Sequence, residues 1–261
     1  MMIKEDELRR MLEQTLLPPT NVTELDPNSV ESATIRFNNV KGSISESYQV
    51  NSALNRRQLL RLADAQEARI IQEFYYKTAQ DGYDTLSSEN PDWVLPLAEA
   101  PSWVKEVISP LSRSGFAAAS LFSCDLMVVF EERLWRLIPG REGFQFEGTW
   151  GLREDNSLRK AIGYSAPDDL LGTIIIANNL ARSSYVIGGD RAFRSSSISC
   201  GAILGMLQSS IGRPNSDISL QATSRFLDNE ANEASRCDGM ERCVQVIVTV
   251  RQTRKPSESE R

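Results

Sequence analysis

The chain has 261 residues, 41% of them apolar, with 29 basic against 35 acidic side chains and a net charge of -6. That is enough to bury a large core, and the acidic balance excludes a broad basic face for nucleic acid or an anionic membrane. There is no histidine, which removes Ser-His-Asp and Cys-His catalysis and histidine-ligated zinc.

In chain order, IKEDELRRMLEQTLL predicts a short amphipathic helix stopped by Pro18 and Pro19, and the ATIRF region up to Tyr48 predicts a strand or two. NRRQLLRLADAQEARIIQEFYYKTAQ is the strongest helical pattern, with Leu59, Leu62, Ala63, Gln66, Ile70, Phe74 and Lys77 on neighbouring faces and Asn55 as cap. Phe74, Tyr75 and Tyr76 inside it read as core. DGYDTLSSENPDWVLPL reads as a loop, punctuated by Gly and Pro. PSWVKEVISPLSR is a second helix, with Pro101 at its first turn and Pro110 kinking or ending it.

The pattern then turns to strands. DLMVVF and RLWRLI, separated by Glu131 and Glu132, predict a hairpin. SLRKAIGY is a short helix, TIIIANNL a buried β-branched strand, and Asp190–Ser209 a long helix. SDISLQATSRF alternates as a strand, LDNEANEASRC is a short polar helix, CVQVIVTVR a final strand, and the tail is polar. The four cysteines, Cys124, Cys200, Cys237 and Cys243, form no CxxC pair. They fit a reduced, cytoplasmic protein with no metal site, and neither a signal peptide nor a membrane span is predicted.

The long helix is unusual in composition. Apolar residues stand at Phe193, Ile198, Ala202, Ile203, Met206 and Leu207, while its other faces carry Ser195, Ser196, Ser197, Ser199, Gly201 and Gly205. Ordinary packing against the sheet is one account. Room for a second backbone or a flat ligand is the other.

Segment order from Leu170 to Arg251 resembles the C-terminal half of nitroreductase-superfamily flavoproteins, and within them the azoline dehydrogenases of the SagB/McbC type. LLGTIIIANNLARSSY is similar to the strand before that family's Lys-Tyr pair, GGDRAFRSSSISCGAILGMLQ to its central helix, and SRFLDNEANEASRCDGMERCVQVIVTV to its turn-helix and closing strand. AAASLFSCDLMVV resembles the family's Ser-Gly-Gly-Ala-Leu-Tyr-Pro segment, and SYQVNSALNRR a segment upstream of it. The resemblance implies an α+β, nitroreductase-like fold, in which helices surround a central, mainly antiparallel sheet and the long central helix mediates dimerisation. It implies a lead-in over residues 1–50, the nitroreductase-like domain over 51–255 and a tail over 256–261.

It also implies FMN, bound by this chain or shared with a partner subunit in a cleft built by both. The implied function is a component of an azoline dehydrogenase that oxidises thiazoline or oxazoline rings to azoles in a ribosomally made peptide. Partners would be a second copy or a catalytic paralogue, the modified precursor peptide, and a cyclodehydratase. The catalytic pair falls on Ser184 and Tyr185. FMN contacts fall on Ser120, Arg191, Arg194, Arg251 and Arg254, and the Gly188-Gly189 turn before a helix offers a phosphate site; an Asp-capped turn, pairing of Arg191 and Arg194 with Asp190, Asp168 or Asp169, and a solvated tail are the other readings of these residues. The chain departs from the pattern at several places. Ser184 stands where the family has lysine, Ala118 and Ala119 replace glycines, Ser123 replaces proline, and Arg56-Arg57 is not followed by the serine and arginine of a phosphate-gripping run. Two alternatives therefore stand beside the active enzyme: a non-catalytic paralogue that pairs with a flavin subunit or scaffolds the complex, and a cofactor-free binding protein.

Overall fold

The computed structural model describes residues 65–113, 120–163, 169–187, 191–211 and 216–253. Most of them belong to one compact unit, Ala63–Gly188 with Ala192–Arg261; the other unit, Met1–Leu62 with Gly189–Arg191, lies almost wholly outside the described residues. The N-terminal helix, the ATIRF strand and the Asn55 cap expected from the sequence also lie outside them.

Among the described residues, seven strands form one sheet: β1 (Val94–Pro96), β2 (Cys124–Phe130), β3 (Arg133–Leu137), β4 (Gly143–Thr149), β5 (Leu170–Asn179), β6 (Ile218–Thr223) and β7 (Arg242–Gln252). Their spatial order is β1-β4-β3-β2-β5-β7-β6, and every neighbouring pair is antiparallel. Helices α1 (Ala65–Glu89), α2 (Ser102–Arg113), α3 (Leu152–Ile162), α4 (Leu180–Ile187), α5 (Arg191–Ile211) and α6 (Asp228–Ser235) surround it. This is the α+β class that the sequence predicts.

The central strands are buried on both faces, and their side-chain alternation sorts two cores. Cys124, Leu126, Val128 and Phe130 of β2 join Ile174, Ile176, Val248 and Val250 in a core with α2 and α5, which contribute Val104, Val107, Ile108, Cys200, Ile203 and Leu207. Met127 and Val129 point the other way and pack with Ile175, Ala177, Val244 and Ile247 beside Leu158 and Ala161 of α3 and Ala231 and Ala234 of α6. Removing such side chains from water supplies the main stabilisation, at roughly 25 cal/mol per Å² of apolar surface.

The hairpin forms as expected. Glu131 and Glu132 both take positive φ, 51° and 58°, the pairing of a type I′ turn that matches strand twist. Pro110 falls inside α2, which runs three residues beyond it to Arg113.

Four differences from the sequence reading stand out. DGYDTLSSE is not a loop: α1 continues through it to Glu89, because Tyr75, Ala79, Tyr83 and Leu86 extend a partly buried stripe at helical spacing. Its apolar face is accordingly not the expected one, since Ile70 and Phe74 are 57% and 71% exposed. GFQFEGT is a strand, β4, unread in the sequence although Phe144 and Phe146 alternate in it and face the core. Helix α3 begins at Leu152, five residues before the expected start, with the Gly151 N–H donating to Glu154 Oε2 at 3.0 Å.

Candidate functional site

Helix α4 follows β5 directly and carries the residues that the resemblance marks as catalytic. Asn179 caps it, its Oδ1 accepting from the Arg182 N–H at 3.1 Å. Ser183 is buried and donates to the Asn179 carbonyl at 3.0 Å. The side chain of Arg182 then ties the helix to the sheet. Nη2 lies 2.7 Å from Asp125 Oδ1, Nε donates to the Phe122 carbonyl at 2.7 Å, and the guanidinium stands 4.7 Å from the centre of the Tyr75 ring.

Asp125 is the centre of a buried charge network. Arg242 Nε sits 2.9 Å from its Oδ2, though out of line for a hydrogen bond. Arg242 Nη1 continues to Glu147 Oε2 at 3.2 Å, and Glu147 Oε1 accepts from Arg136 Nε at 2.5 Å. Arg136 Nη2 adds a bond to Gln145 Oε1 at 3.0 Å. Three guanidiniums thus face two carboxylates, with side chains no more than 19% exposed. Burial alone would push the Asp125 carboxyl up, but Arg182, Arg242 and Arg136 outweigh it and hold the pKa below the usual carboxylate value. Burial pushes the neighbouring Tyr76 hydroxyl up to about 12.

None of these five ionic residues stood out in the sequence as functional. The available signal was a charge inside an apolar strand run, such as the Asp in CDLMVVF or the Arg in RLWRL. A charge in such a place must be paired.

The residues chosen from the sequence are distributed as follows. Ser184 is exposed on α4 and its hydroxyl donates to the Ala181 carbonyl at 2.8 Å. Tyr185 lies in the same helix and Arg191 opens α5, both with side chains outside the described set. Arg194 is half-buried one turn into α5. Ser120 is buried in the helical turn at residues 120–123 that leads into β2, next to the Asp125 network. Gly188, Gly189 and Arg254 lie outside the described residues.

Arg251 is elsewhere. It pairs with Leu170 at the start of β5, whereas Cys124, just after Ser120, pairs with Asn178 near its end. Eight residues of strand separate the two positions, roughly 25 Å. Its Nε is buried without a hydrogen-bond partner. Among the described candidates, Arg251 therefore stands well apart from Ser120.

An open cavity of about 300 Å³ lies between the hairpin turn, the start of α3 and the start of β5, lined by Glu131, Glu132, Trp150, Asp155 and Thr173 among others. It holds none of the residues chosen from the sequence. Among the described residues no group of three or more cysteines and carboxylates is placed to hold a metal, and no helix is long and apolar enough to cross a membrane.

Helix α5 buries one stripe, Ala192, Ser196, Cys200, Ile203, Leu207 and Ser210, against the sheet. The opposite stripe contains Ile198, Gly201 and Gly205. Ile198 is 68% exposed, and a Cβ added at either glycine would meet nothing within 4 Å.

No protein-family model matches the chain, and neither does any curated protein. Among solved structures, it is similar to a nitroreductase of Anabaena variabilis (TM-score 0.49, 16% identity, covering 60% of this chain and 38% of that one). It is also similar to a nitroreductase of Ralstonia eutropha (TM-score 0.46, 12% identity, 62% and 76%). A third is a chain of the Escherichia coli microcin synthetase complex McbBCD with truncated pro-MccB17 bound (TM-score 0.45, 8% identity, 58% and 63%). The chain therefore spans well under half the length of the first of these proteins.

Proposed function

We propose that this chain is one subunit of a two-chain, FMN-dependent azoline dehydrogenase that oxidises thiazoline or oxazoline rings in a ribosomally made peptide. The reading rests on the sequence resemblance, and one structural observation supports it: the open Ile198–Gly201–Gly205 stripe of α5. Among the described residues nothing packs against Gly201 or Gly205, and a second helix lying across them would give them a purpose. FMN, when bound, supplies the two-electron acceptor for ring oxidation. It would lie between subunits, where Ser120 and the α4–α5 junction of one chain meet basic residues such as Arg251 of another. What this chain's own residues do is hold α4 in place, through the Asn179 cap and the Arg182–Asp125 pair.

A second reading, the non-catalytic paralogue, is favoured by Ser184. Its hydroxyl is spent on the Ala181 carbonyl, so it offers no base for the proton released as the ring is oxidised. The test is an absorbance spectrum and a sedimentation run on the full chain, with and without FMN, followed by ring-oxidation assays alone and with a paralogue from the same pathway. Flavin bands with a dimer and turnover support the enzyme; turnover only with the paralogue supports the second reading. A flavin-free monomer in every arrangement overturns both.

A further inference from the structure

We propose that Cys124 and Cys200 form a reversible disulfide that clasps the middle of helix α5 to the start of strand β2. The two sulfurs lie 3.2 Å apart although 76 residues separate them in sequence. Cys124 Sγ also lies 3.4 Å from the Ser196 carbonyl, one turn earlier on α5. A disulfide bond is about 2.05 Å long, so closure needs an approach of little more than about 1 Å between two elements already packed together.

The other two thiols are placed differently. Cys237 Sγ contacts the Ser235 carbonyl at 3.8 Å and Cys243 Sγ the Met240 carbonyl at 3.2 Å. No third ligand completes a metal site around Cys124 and Cys200, since the described residues contain no such group. A facing pair without a metal is the arrangement in which oxidation ends as a disulfide, because the second thiol intercepts the first oxidation product.

The oxidant must be small, because the two residues are 1% and 2% exposed. Hydrogen peroxide meets that requirement. One sulfur attacks a peroxide oxygen, the O–O bond breaks, and the departing hydroxide takes the thiol proton and leaves as water, giving a sulfenic acid. The second sulfur displaces the sulfenic oxygen, which leaves with that sulfur's proton as another water. Two thiols lose two electrons and two protons, and the peroxide becomes two waters. A dithiol reductant reverses the bond by exchange. The hydrogen bond between the two thiols and their burial hold the Cys124 thiol well above its ordinary pKa, so oxidation proceeds through openings of the α5 contact and is slow.

The experiment treats the full chain with a few equivalents of hydrogen peroxide, alkylates it in denaturant, and maps the peptides by mass spectrometry without reduction. The expected result is a cross-linked Cys124–Cys200 peptide lighter by two hydrogens, with Cys237 and Cys243 alkylated. The thermal midpoint should rise on the order of 10 °C, from the closed loop's lower unfolded-state entropy, and dithiothreitol should return it. Cys200→Ala should show no rise. Alkylation of all four cysteines after peroxide, or sulfinic acid at Cys124 with Cys200 free, overturns the proposal, as does a rise that persists in Cys200→Ala. If that variant fails to fold, the map of the unmodified chain decides alone.

Discussion

Asp125 Oδ1 and Arg182 Nη2 are 2.7 Å apart, with side chains 5% and 16% exposed. Through this pair helix α4, which follows β5, is bound to the neighbouring central strand β2, and the residues aligned with a catalytic pair ride on that helix. The contact is both a stability element and the device that sets where Ser184 and Tyr185 stand.

Replacing Asp125 by Ala leaves Arg182, Arg242 and Arg136 facing only Glu147. Breaking a buried pair in this way costs about 3–5 kcal/mol, to be read from denaturant midpoints. By contrast, Glu233→Ala removes an exposed partner of Arg153, 2.5 Å away, and should leave the denaturant midpoint almost unmoved, because water screens the pair. Equal effects would show that the Asp125 network is solvated rather than buried.

Acid should unfold the protein through the same residue. The folded pKa of Asp125 is lowered below its ordinary 3.8, so its contribution to stability is complete above that value. It is lost as pH falls from there through the folded pKa. Stability of the unmodified chain should therefore decline below about pH 4, and Asp125→Asn should remove part of that dependence while lowering stability at neutral pH. Urea titrations across pH 2.5–7 check this.

Two glycines should respond oppositely to alanine. At Gly172 an added Cβ would lie 2.5 Å from the Trp103 ring and 2.6 Å from the Val129 carbonyl, and overpacking of that kind costs about 1–3 kcal/mol. At Gly201 the space is open, so alanine should stabilise α5 by about 0.5–1 kcal/mol. Gly201→Leu should also leave the isolated chain folded but shift a dimer toward monomer in sedimentation. A dimer unchanged by that substitution would remove α5 from the interface.

Ser184 is exposed, so Ser184→Lys should cost little stability. If the chain is catalytic, restoring the expected base should raise ring oxidation by a factor of about 100 to 10,000 in the presence of FMN. Tyr185→Phe in that background should lower it without a matching loss in thermal midpoint. No gain from Ser184→Lys would place the working base in the partner subunit or remove catalysis from this chain.

Much of the architecture was legible in the sequence where period and chemistry agree. β-branched runs such as TIIIAN and VQVIVTV announce buried strands, and the paired glutamates between two apolar runs announce the hairpin. The misreadings also have physical causes. DGYDTLSSE is rich in residues favoured in turns, yet Tyr83 and Leu86 pack against Val94 and Ile138, and that burial outweighs local propensity. GFQFEGT begins and nearly ends with glycine, which hid the Phe144 and Phe146 alternation that makes it a strand.

Most elements, the absence of histidine chemistry and the small-residue helix α5 were readable from the chain's own residues, and the fold class from its resemblance to a known family. The elements, the missing histidine and the helix are local properties, or sums over composition. Which charges are buried together and which thiols touch follows from the packing of distant segments. Asp125, Arg136, Glu147, Arg182 and Arg242 come from four strands and a helix, and Cys124 meets Cys200 across 76 residues. Strand order and register set such contacts, and a one-residue slip would turn the strand-borne members, Asp125, Arg136, Glu147, Arg242 and Cys124, to the opposite face.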